Sequence, residues 1–224
     1  EVLPNVTTES AFENARYSGK TLDYIYEKSQ IKRKIKEAVD DCLWSSIGIW
    51  FFDVDRKKNV VISRLDPFDV YIDPNVKSPD LNDPEYGAEF VTIKQQVSID
   101  AIKKNPEYEN TEELKADNFI AAAEYKRFLL QVTTHQVQGQ AAENETKILS
   151  QTWLRERDDQ GNIKLKLITY VDGMDKPLKE EKLDDSEYPL EILQGDISPG
   201  SLYGESWIKH LIPINRVIDA LESH

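Results

Sequence analysis

The feature that most constrains this chain is a change of hydrophobic period near Leu43. Between Ser10 and Leu43 the apolar residues Leu22, Ile25, Tyr26, Ile31, Ile35, Ala38, Val39 and Cys42 recur mostly at three- and four-residue steps, the spacing of one helix face. Ser10, just after Thr7, Thr8 and Glu9, sits in an N-cap region, and Gly19 marks a candidate break into two helices. Ile47, Ile49 and Phe51 then alternate with Gly48, Trp50 and Phe52, the two-residue period of a strand. Both faces of that strand are apolar, so it is expected to be buried. Helical and extended stretches come in blocks rather than in strict βαβ alternation, which makes the fold class α+β, with a long N-terminal helix, antiparallel hairpins and sheets, and a C-terminal helix.

Beyond this strand the chain is punctuated by proline and turn chemistry. Asp55 to Asn59 reads as a turn and Val60-Val61-Ile62 as the return strand of a hairpin. Asp66-Pro67 and Asp73-Pro74 bracket a short extended segment, because the residue before a proline is pushed out of the α region. Its Val70 and Ile72 are expected to face inward. Asn75 to Gly87 is a polar loop, Ala88 to Val97 a strand, and Ser98 the cap of a short helix ending near Asn105-Pro106. Thr111 to Phe128 reads as a further helix and Gln136 to Thr146 as a mobile loop. Ile148–Arg157 and Ile163–Val171 are strands joined by a turn at Asp158–Asn162, and Lys176 to Leu183 adds a third. Ser206 is expected to cap a helix running to Leu221, in which Pro213 either kinks one helix or starts a second. The organisation is thus 1–43 helical, 44–97 β-rich, 98–135 helical, 146–183 hairpin and sheet, and 206–224 helical, with no internal repeat.

Charge and motif content narrow the function. The net charge of −13 repels nucleic acid, the opposite of a DNA-reading domain. No apolar run approaches the ~18–20 residues of a membrane-spanning helix. The single cysteine, Cys42, excludes an internal disulfide and a Cys-based zinc site, and it lies on the apolar stripe, so it reads as a buried structural thiol rather than the partner of His135 or His210. The third histidine is His224, and no His-Glu-x-x-His or glycine-rich phosphate loop occurs. Gly200-Ser201-Leu202-Tyr203-Gly204 resembles a nucleophile elbow only superficially, with its serine one position early. Asp73, Asp80, Asp83, Glu85 and Glu89 are oxygen donors of the kind Ca²⁺ takes, but their spacing is not that of an EF-hand, and they read as a solvated acidic loop. Lys28, Lys32 and Lys36, with Arg33 and Lys34 beside them, form either a phosphate-contact stripe or the solvated back of the helix, and the acidic remainder favours the second. Trp44, Trp50, Trp153 and Trp207 are expected in the core, with one or two at a subunit interface. The sequons at Asn5 and Asn144 are short enough to arise by chance. The expectation is a protein with no catalytic residue, no cofactor and no metal. The alternatives are an acidic α+β hydrolase domain using paired carboxylates, or a generic protein-interaction domain.

Three stretches, in order, resemble the portal proteins of tailed bacteriophages, particularly the short-tailed kind. They are the helix-to-hairpin passage from Asp41 to Trp50; the element Asp66, Pro67, Val70, Tyr71, Asp73, Pro74 with the strand and short helix after it; and Tyr203, Gly204, Ser206, Trp207 opening the last helix. Asn215 stands where the family commonly has Gln. The resemblance implies the wing region of a head–tail connector subunit, its last helix leading toward a missing stem. It implies a virion protein, made in the host bacterial cytoplasm and placed at the portal vertex, that serves DNA packaging and ejection. Implied partners are further copies in a ring of about twelve, capsid protein, terminase and tail adaptors, with double-stranded DNA passing through without sequence recognition and no membrane involved. The chain begins at Glu1 and ends inside a helical pattern, so it reads as a piece of a longer polypeptide, one not expected to close a stable ring by itself.

Overall fold

The computed structural model describes residues 9–55, 57–114, 146–157, 162–196 and 201–222. The class is α+β, with helices at both ends and antiparallel sheets between. The chain divides into two compact units. Unit 1 is made of Glu1–Pro67, Val76–Gly87 and Pro189–His224, and unit 2 of Phe68–Asn75 and Ala88–Tyr188.

In unit 1 the N-terminal helix is two helices, α1 (Glu9–Lys28) and α2 (Ile31–Ser45). The break falls at Ser29-Gln30, where Gln30 takes a left-handed conformation, φ 51°. Gly19, the expected break, lies inside α1. α1 buries only Ala15, and its Leu22 and Tyr26 are exposed. α2 buries Ala38 and Cys42 and packs on a three-stranded sheet of order β2-β1-β8, in which β1 is Ile47–Val54, β2 Val60–Leu65 and β8 Leu190–Gln194. β1 lies between the other two, antiparallel to both, with Ile49 facing Leu65 on one side and Ile192 on the other. Gly48 is required by the approach of α2, since a Cβ there would stand 2.3 Å from the Ala38 carbonyl oxygen. Only the first half of β1 is buried as expected. Phe52 and Val54 reach the surface because the helix covers the Ile47 end. Ser46 leaves α2 through a left-handed residue, φ 74°, with its N–H returning to the Cys42 carbonyl at 3.1 Å. The last helix is numbered α4 (Trp207–Glu222), after the short α3 of unit 2 (Ile99–Lys103); it packs on α2 and is one helix with Pro213 inside it.

Unit 2 is an antiparallel sheet of order β3-β4-β5-β6-β7, formed by Val70–Ile72, Phe90–Ser98, Thr146–Arg157, Ile163–Val171 and Lys179–Lys182. The edge strand β7 is Lys-Glu-Glu-Lys, a charged edge that resists pairing with another chain. Ser98 caps α3, its hydroxyl accepting the Ala101 N–H at 3.2 Å. Ile99 and Ile102 of α3 pack with Leu114, Leu149, Val171 and Leu178 as a core cluster. Each of these aliphatic side chains contributes about 1.5–3 kcal/mol on full burial. Of the helix expected from Thr111 to Phe128 the described start is a 3-10 turn, Thr111–Glu113, which Leu114 leaves in an extended conformation. The rest of that expected helix, the loop at 136–145, most of the turn at 158–162 and the first sequon lie outside the described residues.

Candidate functional site

The two parts of the family-like motif fold as separate structures. In the first, Pro67–Asp69 form a 3-10 turn and Val70–Ile72 the strand β3, paired with β4 in the register Val70 to Ile93 and Ile72 to Val91. Val70 and Ile72 are buried and Tyr71 between them is exposed, with the Lys94 ammonium over its ring at 5.3 Å. Asp66 and Pro67 are half-buried and Pro74 is exposed. The Asp73 carboxylate is itself buried, and its oxygens are taken up in fixing the turn. Oδ1 accepts from the Asn75 N–H at 2.8 Å and the Asn75 side-chain amide at 3.1 Å, and Oδ2 accepts from the Glu89 N–H at 3.2 Å. An acid so placed acts as a structural brace, because a buried carboxylate without donors would be costly. Beside it Tyr188 donates to the Ala88 carbonyl at 2.8 Å, with the Arg155 guanidinium 5.4 Å from its ring centre. Burial pushes the Tyr188 hydroxyl up to about 12, with Glu89 and Asp73 adding to the shift and Arg155 opposing it.

The second part ties α4 to α2 and β8. Glu205 donates its N–H to the Asp196 carbonyl at 3.1 Å, Gly195 donates to the Ser46 carbonyl at 2.8 Å, and the Gln194 amide reaches the Leu202 carbonyl at 2.6 Å. Gly204 is obligatory, because a Cβ there would lie 2.0 Å from the Asp196 carbonyl oxygen. Ser206 is the N-cap. Its hydroxyl accepts from the Ile208 N–H at 3.3 Å and donates to the Leu43 carbonyl at 2.8 Å, so one side chain serves the start of α4 and the end of α2. Glu205 pairs with Lys209 at 2.7 Å, which holds its carboxyl below the usual range.

Beyond this junction α4 has no buried residue. Leu211, Ile212, Ile214, Val217, Ile218 and Leu221 are all exposed, Leu221 at 72%. Trp207 at 56% and Trp44 at 73% are exposed on the two helices the Ser206 hydroxyl joins. Trp153 is buried and Trp50 half-buried, donating from its indole N–H to the Lys34 carbonyl at 3.4 Å. The tryptophans thus divide between core and surface. The sequence carried a signal for Trp44, which lies two residues past Cys42 and so off the buried stripe.

Among the described residues those considered for catalysis are dispersed, and His135 and His224 lie outside the described residues. Cys42 is buried, its thiol donates to the Leu193 carbonyl at 3.2 Å, and burial, with Asp41 adding, pushes its ionisation up, the reverse of an activated thiol. His210 is exposed and stands 3.8 Å from Asp196 and 3.9 Å from Glu205. The Ser201 hydroxyl closes a local turn with Tyr203. Asp80 and Asp83 accept from backbone N–H groups of Asn82, Glu85 and Tyr86, as turn-forming carboxylates do. Among the described residues no three acidic, histidine or cysteine side chains converge to hold a metal ion. Among the same residues no helix is long and apolar enough to cross a membrane. The expected single stripe of lysines is divided, because the bend at Gln30 puts Lys28 on α1 and Lys32 and Lys36 on α2.

Compared with known proteins, the chain matches no family model and no curated sequence.

Proposed function

We propose that this chain is the wing region of a portal subunit, a structural, non-enzymatic protein of a ring through which double-stranded DNA enters and leaves the capsid of a tailed bacteriophage. The observation that carries this reading is the uncovered face of α4. A helix that starts from a firmly braced junction and then exposes six large aliphatic side chains is an assembly element. The ordered resemblance across the helix–hairpin passage, the Asp66–Pro74 element and the Tyr203–Trp207 helix start supports the same reading. In it the ring has about twelve copies held by one repeated heterologous interface, and the partners are capsid protein, terminase and tail adaptors. An acidic body suits a conduit, since phosphate binding driven by counterion release would hold the cargo back.

The test is electron microscopy of the full-length protein. The expected result is rings with a central channel. Dispersed monomers or closed dimers under all salt conditions would overturn the reading, and would favour an interaction domain with no role in a ring, for which the same exposed helix would serve.

A further inference from the structure

The chain carries 41 Asp and Glu against 28 Lys and Arg, yet its cations are not evenly spread. One corner of unit 1 is basic. There Lys28 at the end of α1 donates to the Asn59 side chain at 3.0 Å, joining the bend between α1 and α2 to the β1–β2 turn. Lys34 of α2 donates to the Ile62 carbonyl of β2. Lys28 and Lys34 are thereby held against the hairpin whose turn carries Lys57 and Lys58, and Lys32, Arg33 and Lys36 follow the bend on the first turns of α2, on its outward side. The carboxylates among them are Glu37, paired with Arg33 at 3.3 Å, Asp53, and Asp55. The Asp55 side chain is turned onto its own loop, where it accepts from the Lys57 N–H at 2.7 Å and the Asn59 N–H at 2.8 Å. With Glu27 at the bend, seven cations stand against four carboxylates, a local excess of positive charge on a chain of net charge −13. Next to the turn lies uncovered apolar surface: Phe52, Val54 at 59% and Val60 at 40% exposed, with Val54 directly opposite Val60 in the hairpin.

We propose that this corner is one half of a head-to-tail contact between copies of the chain, docking on the acidic surface of a second copy. An apolar centre with a charged rim is the anatomy of a protein interface. Charge complementarity names the occupant, because the remainder of the same chain supplies a strongly acidic surface. The contact joins two different surfaces, since a pairing of this corner with itself would set cation against cation. Repeated, a heterologous contact closes a ring or runs on as an open chain. Placing the contact within a portal ring rests on the portal reading; the contact itself does not.

The test is sedimentation velocity of the chain at low and high salt, wild type against K32E/K57E/K58E and the milder K57Q/K58Q. The Lys32, Lys57 and Lys58 side chains are exposed and hold none of the contacts that join the bend to the hairpin. Wild type is expected to self-associate at low salt and to weaken about tenfold or more at high salt, as screening removes the attraction. The charge-reversed variant should be monomeric with an unchanged circular dichroism spectrum, and the glutamine variant intermediate. Carbodiimide cross-linking of mixed light and heavy isotope-labelled protein should join Lys32, Lys57 or Lys58 of one copy to carboxylates of another. A wild type that is monomeric at low salt would overturn the proposal. So would association indifferent to both salt and charge reversal but lost in L211S/L221S, or DNA binding that the reversal abolishes. A full-length protein that forms no ring, while the chain still associates through this corner, would remove the portal reading and leave the contact standing.

Discussion

Replacing Gly204 and Gly19 by alanine should move stability in opposite directions. The added Cβ at Gly204 would meet the Asp196 carbonyl oxygen at 2.0 Å and its carbon at 3.0 Å. The obstruction is backbone, so no side chain can swing aside. The two strands of chain must part, and the Glu205 N–H bond to that carbonyl, now 3.1 Å, is lost or stretched. Overpacking of this kind costs ~1–3 kcal/mol and the hydrogen bond adds about 1, so a loss of about 2–4 kcal/mol is expected. At Gly19, inside α1, a Cβ meets nothing within 4 Å. There alanine should raise helix stability by about 0.5–1 kcal/mol. Urea unfolding followed by both circular dichroism and tryptophan fluorescence measures the pair. With slopes of ~1–3 kcal/mol per molar urea, the Gly204→Ala midpoint should fall by about 1–2 M. If Gly204→Ala unfolds with wild type, the close approach at the start of α4 is not a constraint, and the account of that junction fails.

Ser206→Ala removes a helix cap and a donor to the Leu43 carbonyl at once; a loss of about 1–2 kcal/mol by the same urea assay is expected, and Ser206→Asp should recover the cap but not the Leu43 bond. Tyr188 should ionise well above the ordinary tyrosine range. Its folded value, about 12, lies above the ordinary 10.0, so the stability it lends is complete below pH 10 and is lost as pH rises through 12; ultraviolet difference titration at alkaline pH, wild type against Tyr188→Phe, reads this directly. The Cys42 thiol should react with a disulfide reagent only at the rate of unfolding, and rapid stoichiometric labelling of the native protein would contradict its burial.

What the sequence disclosed and what it hid have distinct physical origins. Most strand positions and hairpins were legible because turn residues and two-residue alternation act locally, but β8, Leu190–Gln194, was not read, since its place beside β1 is set by pairing across the chain. Ser98 and Ser206 were legible as caps because a hydroxyl before an apolar helical run has few better uses. The bend at Gln30 was hidden because nothing in that residue demands a left-handed conformation. Gly19, which would permit a break, is packed against nothing that requires one. Periodicity located the apolar stripe of α4 but could not say whether anything covers it, and the same gap hid the exposed half of β1. The roles of Asp73 and Tyr188 were only partly legible. Proline placed the turn, but the Glu89 N–H and the Ala88 carbonyl they bond come from the residues just before β4, distant in sequence from Asp73 and Tyr188.

The two exposed features of unit 1 differ in the force they exert, and that difference would order their use in the assembly proposed above. Copies carrying −13 each repel at long range, and at physiological salt this field is screened within about 8 Å. The basic corner works against the repulsion over the same distance and with the same salt dependence, so it can select which faces meet and set their orientation. The face of α4 acts only at contact, through burial of Leu211, Ile214, Ile218, Leu221 and their neighbours, and salt does not weaken it. An assembly that formed through α4 alone would have no preferred partner face, since an apolar stripe is indifferent to orientation. One that formed through the corner alone would dissolve as salt rose. On the proposed contact the corner would orient the copies and the helix would hold them, which predicts that salt slows association of the full-length protein far more than it hastens dissociation.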